Sequence, residues 1–180
     1  MTTPSLGRLE TVPALDRPDL LADAVKAALE GWQYAGEVGV VEIDPEVADT
    51  AAMAAAYDLG LDTGANCVVV AGRRDGEERV AACLVRSDTR ADVNNLVKRT
   101  LDDRKASFLS MDRAVEESGM EYGGITPIGI PEGWRLLVDP RVLDVEVAVI
   151  GSGVRRSKLL IPGRLAAELP GAEVVDGLAG

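Results

Sequence analysis

The pair Asp75-Gly76 constrains this chain more than any other feature. It separates two apolar runs, residues 67–71 and 79–86, and Asp-Gly tolerates the positive φ angles that a two-residue hairpin turn requires. With 75 and 76 at the turn, directly opposed residues have numbers summing to 151, so Cys67 faces Leu84 and Cys83 faces Val68. Side chains alternate across a strand, so the two cysteines point to opposite faces and are expected to be core thiols rather than a disulfide. The run Cys67-Val68-Val69-Val70-Ala71 is apolar without alternation, as in a strand covered on both sides. A chain of 180 residues, 47% of them apolar, can bury such a strand within one domain.

Around the hairpin, helical and extended patterns alternate. Residues 1–18 carry Pro4, Pro13 and Pro18 without periodicity and are expected to form an N-terminal arm before a folded unit spanning 19–180. From Asp19, the residues Leu20, Leu21, Ala24, Val25, Ala28 and Leu29 share one helical face, and Gly31 stops the run. Residues 38–43 read as a strand, and Asp44-Pro45 as the cap and first turn of a helix reaching Leu59. After the hairpin, Thr89 and Asp92 predict a capped helix carrying Val93, Leu96, Val97 and Leu101. Residues 105–109 read as a strand, and Ser110 as the cap of a short helix ended by Gly119. Strands follow at 134–138, 145–150 and 157–161, then a helix from Pro162 to Leu169 and a strand near Val174. The sum is a single α+β domain.

Composition excludes several chemistries. There is no histidine, which removes histidine-based triads, histidine general bases and the common zinc sites. Two cysteines cannot hold a metal alone, so neither metal nor cofactor is expected. Six scattered aromatics do not make a base-stacking platform. The first eight residues lack a secretory pattern, and no run approaches the ~18 apolar residues of a membrane span, so a cytoplasmic location and no membrane contact are expected.

The formal charge of −11 opposes nucleic-acid binding, but it is unevenly spread. Residues 1–64 hold three basic and twelve acidic side chains, whereas residues 73–113 hold ten basic and eight acidic. The second half is therefore compatible with weak contact to an RNA end, not with strong duplex or DNA binding.

Residues 122–133 are the most informative for chemistry: four glycines and two prolines interleaved with apolar residues and one charge. In Gly123-Gly124-Ile125-Thr126-Pro127-Ile128-Gly129, paired glycines let a ligand approach the main chain, whose N–H groups can converge on a carbonyl or oxyanion. The competing reading is a tight glycine turn between helix and strand. Thr126 offers a hydroxyl to a substrate amine or water, or caps the loop. Lys158, with Arg155 and Arg156, follows the Gly151-Ser152-Gly153 turn as a candidate cation for the same mouth, or as part of a solvated basic loop.

These motifs carry a resemblance. Residues 65–70, the hairpin, 89–93, Ser118-Gly119, 123–129, Leu137-Val138-Asp139 and Gly151-Ser152-Gly153, in this order, look like the YbaK/EbsC group, which is similar to the editing domain of bacterial prolyl-tRNA synthetase. The likeness runs from about residue 38 to 178. It implies a mixed, partly barrel-like β-sheet flanked by helices, and hydrolysis of the ester of mischarged aminoacyl-tRNA. The family's glycine-x-x-x-proline loop matches Gly123 through Pro127, where main-chain amides would hold the carbonyl and position water. Gly123, Gly124, Thr126 and Asn66 are then the candidate catalytic residues. Ile125, Pro127, Gly129, Asp139, Gly151, Ser152, Gly153 and Lys158 are candidates for substrate binding. Asn66 stands where the family carries a lysine, and Val41-Glu42-Ile43-Asp44 stands where editing members often have a tyrosine.

No self-evident nucleophile accompanies the loop, so attack by a positioned water, assisted by the substrate's vicinal hydroxyl, is expected. The expected partner is the 3′ end of an aminoacyl-tRNA, weakly held and deliverable by a synthetase. The alternative is a catalytically degenerate module that binds an aminoacyl group, amino acid or nucleotide, or an interaction role for the acidic N-terminal section. Monomer and homodimer both stay open.

Overall fold

The computed structural model describes residues 3–180; Met1 and Thr2, the start of the expected arm, lie outside the described residues. The Asp-Gly hairpin forms in the predicted register. Asp75 and Gly76 take φ of +53° and +81°, and strands Ala65–Arg74 and Glu77–Arg86 pair with Cys67 opposite Leu84 and Val68 opposite Cys83. In chain order the strands are β1 (Val12–Pro13), β2 (Gly39–Glu42), β3 (Ala65–Arg74), β4 (Glu77–Arg86), β5 (Lys105–Phe108), β6 (Arg135–Val138), β7 (Val147–Gly151), β8 (Ser157–Pro162) and β9 (Ala172–Val174).

These strands build two sheets, ordered β1-β2-β8-β7 and β5-β3-β4-β6-β9. The second is mixed, since β6 pairs in parallel with both β4 and β9. The sheets meet at a bridge between Gly64 and Val149. One apolar cluster fills the space between them around Leu84, Leu136, Ile150 and Leu159; a second, containing Cys83, Val70 and Val97, covers the other face of the hairpin. Cys67 packs on the first cluster and Cys83 within the second, so both thiols are free. Fully burying a side chain such as Leu84 contributes about 1.5–3 kcal/mol. Among the described residues no helix is long and apolar enough to cross a membrane.

The helices are α1 (Asp23–Glu30), α2 (Thr50–Tyr57), α3 (Lys98–Thr100), α4 (Met111–Ser118) and α5 (Pro140–Leu143). Four local expectations shift. Helix α1 starts at Asp23 rather than Asp19, because Ser157 Oγ donates to Leu20 O and Ala22 N–H to Ser152 O, which holds the intervening chain extended. The helix expected from Asp44 to Leu59 is split. Asp44 caps a single 3₁₀ turn, and a second cap, Asp49, opens α2 by accepting from Ala52 N–H.

Asp92 alone caps the next helix, a π-helical turn over Val93–Val97 that runs into α3, while Thr89 donates to Arg86 O to close the end of β4. The run after Pro162 is a 3₁₀ helix, Gly163–Glu168. Ser110 and Gly119 bound α4 as expected, with Gly119 at φ +69°. The segment before residue 19 contributes Leu9 and Ala14 to the buried clusters and pairs Val12 with Val40.

Candidate active site

β5 pairs only with Val70–Arg73 of β3, so the first residues of β3 keep an open edge. Against that edge lies a cavity of about 400 Å³. Its walls come from four places: Asn66 and Cys67 of β3, Thr50 and Met53 of α2, Gly151 of β7 with Lys158 of β8, and Gly123 with Ile125 of the glycine loop. The structure thus brings together five residues singled out from sequence, Asn66, Gly123, Ile125, Gly151 and Lys158.

The glycine loop is held by its own main chain. Gly124 N–H donates to Glu121 O at 2.9 Å, and Gly153 N–H donates to Gly124 O at 2.7 Å. Glu121 N–H returns the contact to Gly153 O at 2.8 Å. A methyl group at Gly124 would stand 2.8–2.9 Å from main-chain atoms of Val154, and one at Gly151 would stand 2.5 Å from Gly124 O and 2.6 Å from Ile125 O. These glycines therefore permit backbone to lie directly on backbone. With Gly124 N–H engaged, Ile125 N–H closing the turn over residues 122–124 and Pro127 lacking one, the N–H groups of Gly123 and Thr126 have no protein acceptor among the described residues. Of these two, Gly123 lines the cavity, as does the neighbouring Ile125.

Lys158 is the one cation lining the cavity among the described residues. Its Nζ donates to Gly123 O at 3.3 Å. Burial, reinforced by Arg155 and opposed by Asp49, lowers its pKa. Arg155 and Arg156 are spent on structure. Arg155 donates to Tyr122 O and Pro45 O and lies over the Tyr122 ring, while Arg156 binds Asp19 O.

Asn66 is pinned by two residues that sequence reasoning missed. Its Oδ1 accepts from Thr50 Oγ1 at 2.9 Å and Ser87 Oγ at 3.3 Å. That leaves its amide N–H groups without a protein partner among the described residues, at the cavity wall. Cys67 also lines the cavity, but burial pushes its thiol pKa far up, so it stays protonated and is no nucleophile.

The remaining candidates do not line the cavity. Thr126 is fully buried and its hydroxyl has no partner, and Pro127 is buried beside it. Gly129, at φ +82°, lies against Ala24 O of α1. Ser152 bonds within its own turn, to Val154 O, Ser157 O and the Ser157 hydroxyl, and Gly153 packs on Ala22. Asp139 is 1% exposed; its carboxylate accepts from Arg141 N–H and Ala179 N–H, each at 2.8 Å. It caps α5 and ties down the C-terminal segment. No group of three or more potential metal ligands occurs among the described residues.

Residues 44–168 match the sequence model of the aminoacyl-tRNA editing domain. Curated relatives include proline–tRNA ligases of Listeria welshimeri, 35% identical over 77 residues, and of Listeria monocytogenes, 34–35% identical over the same length. The match covers 42% of this chain but only 13% of those ligases. Among solved structures, a hypothetical protein aligns with a TM-score of 0.75 at 20% identity, over 88% of this chain and 100% of its own. A candidate trans-editing enzyme for prolyl-tRNA synthetase aligns at 0.73 and 22% identity, over 86% of this chain and 94% of its own. At these identities the two structures speak for the fold.

Proposed function

The chain belongs to the aminoacyl-tRNA editing domain family, and from that premise we propose that it hydrolyses the ester of mischarged aminoacyl-tRNA in trans. One observation carries this reading: a cavity lined by the glycine loop, with the Gly123 N–H unpartnered, facing a single lysine and a free carboxamide. Water attacks the ester carbonyl, and the developing oxyanion is taken by the N–H group of Gly123. Loss of one such donor costs on the order of 10²–10³ in rate elsewhere. The ester C–O bond then breaks, the ribose oxygen leaves as a hydroxyl with a proton that began on the water, and free amino acid departs. The vicinal ribose hydroxyl supplies the nearest relay for that proton.

In this reading Asn66 donates to the terminal nucleotide, and Lys158 keeps the Gly123 end of the loop in place while adding positive charge beside the carbonyl. Gly124, Gly151 and Gly153 fix the loop from behind, and Thr126, Pro127, Gly129, Ser152 and Asp139 act as its support rather than as contacts to substrate. The Cys67 thiol and the lack of histidine leave water as the attacking group.

A second reading rests on Asn66. A neutral amide replaces the family's lysine, which favours a site that still holds the aminoacyl end but turns it over poorly. The two readings part in one comparison: ester loss from a panel of mischarged tRNAs, wild type beside Asn66→Lys. Turnover by the wild type supports the hydrolase; turnover by Asn66→Lys alone supports the degenerate binding module.

A further inference from the structure

A second cavity, of about 780 Å³, lies along the free edge of β5. In a chain of net charge −11, its lining holds Arg73, Lys98, Arg104, Lys105 and Arg113 against one carboxylate, Glu78. Arg73 and Arg113 share Glu78, and Arg104 reaches Asp75 at 3.7 Å. Lys98 and Lys105 have no acidic partner within salt-bridge distance among the described residues. The groove thus concentrates positive charge where the rest of the molecule repels anions.

Two observations connect this groove to the first cavity. Leu109 and Ser110 line the groove and the next residue, Met111, lines the cavity. Along β3, Asn66 belongs to the cavity and Arg73 to the groove, a separation of about 23 Å at ~3.3 Å per residue. That is the length of about seven stacked nucleotides at ~3.4 Å each. Phe108, 63% exposed on the same edge strand, offers a ring face that a free phosphate would not use but a nucleobase would.

We propose that this groove binds the phosphate backbone of the RNA whose aminoacylated end occupies the first cavity. The identity of the RNA rests on the deacylase reading; the presence of a polyanion site does not. It also accounts for how an acidic protein holds an RNA: the contact is local, made by two unpaired lysines and the shared arginines, and no residue lining the groove comes from the acidic section 1–64.

The test measures binding of uncharged tRNA against salt concentration, and kcat/KM for a mischarged tRNA and for the matching aminoacyl-adenosine, in wild type, Lys98→Ala, Lys105→Ala and the double variant. Lys26→Ala serves as a control on α1. Each groove substitution is expected to reduce the slope of log affinity against log salt by about one. The double variant is expected to lower the preference for tRNA over aminoacyl-adenosine about tenfold, with Lys26→Ala leaving the slope as it was. An active wild type whose slope and preference survive both substitutions overturns the groove and leaves the deacylase standing. A wild type that cleaves neither ester overturns the deacylase, and the groove is then judged by the slope alone. Loss of a salt-sensitive dimer in the double variant, with the tRNA slope unchanged, assigns the groove to the acidic section of a second copy and overturns the proposal.

Discussion

The Lys158 ammonium nitrogen stands 3.3 Å from the main-chain oxygen of Gly123, tying β8 to the first residue of the glycine loop. The contact joins the one cation lining the cavity among the described residues to the lining glycine whose own N–H is free. Replacing it with an apolar side chain of similar length, Lys158→Met, is expected to lower kcat/KM for mischarged tRNA by about 10²–10³-fold. Steady-state kinetics beside a thermal melt checks this: the melting temperature should not fall, since burial disfavours the ammonium in the folded state.

The same group sets a pH dependence. Burial lowers the Lys158 pKa below its ordinary value of 10.5, so the folded protein loses this proton at a lower pH than the unfolded chain does. The penalty of the buried charge is therefore full below the folded pKa and is relieved as pH rises through it toward 10.5, so stability gains with pH in that window. Activity runs the other way, because the ammonium disappears across the same window. The kcat/KM profile should show an alkaline limb below 10.5 that moves upward in Lys158→Arg; an unmoved limb assigns it to another group.

Gly151→Ala places a methyl group 2.5 Å from Gly124 O and 2.6 Å from Ile125 O. Neither carbonyl is a flexible side-chain end, so the loop has to move. The expected cost is about 1–3 kcal/mol in stability, from overpacking. A displacement of about 1 Å at the carbonyl-binding N–H group is expected to cost about 10²-fold in kcat. Denaturant titration and single-turnover kinetics separate the two effects.

Asp139→Ala tests the opposite assignment, a buried carboxylate with a purely structural role. It removes the cap of α5 and strands the Ala179 N–H, an expected loss of about 3 kcal/mol from a cap and a charge-assisted bond together. Chemical denaturation reads the loss, while KM for tRNA should stay within twofold of the wild type at a temperature where both are folded. A large rise in KM would return Asp139 to the substrate.

The legible parts of the fold were those written in neighbouring residues. Asp75-Gly76 specified the hairpin register to the residue because a two-residue turn with both φ positive admits only one. Ser110 and Gly119 bounded α4 for the same local reason. Where distant chain decided the outcome, local patterns overran: the apolar face from Leu20 is continuous, yet bonds from Ser157 and Ser152 hold residues 20–22 out of α1. The glycine loop was legible as unusual, but not the reason for Gly124 and Gly151, which is each other's main chain. Thr50 and Ser87 left no trace, since a hydroxyl after a helix cap or at a strand end is commonplace, and only folding brings both to Asn66.

The central claim, a main-chain site that cleaves the aminoacyl ester, is tested most directly by following ester loss from a panel of mischarged tRNAs under single-turnover conditions, wild type beside Gly124→Ala. The methyl group would press within 2.8–2.9 Å of the Val154 main chain and push the loop off its position. The account predicts that the wild type clears at least one ester above the spontaneous rate, and that Gly124→Ala slows this by about 10²-fold or more while remaining folded. No ester lost faster than in buffer, or equal rates for the two proteins, would contradict it.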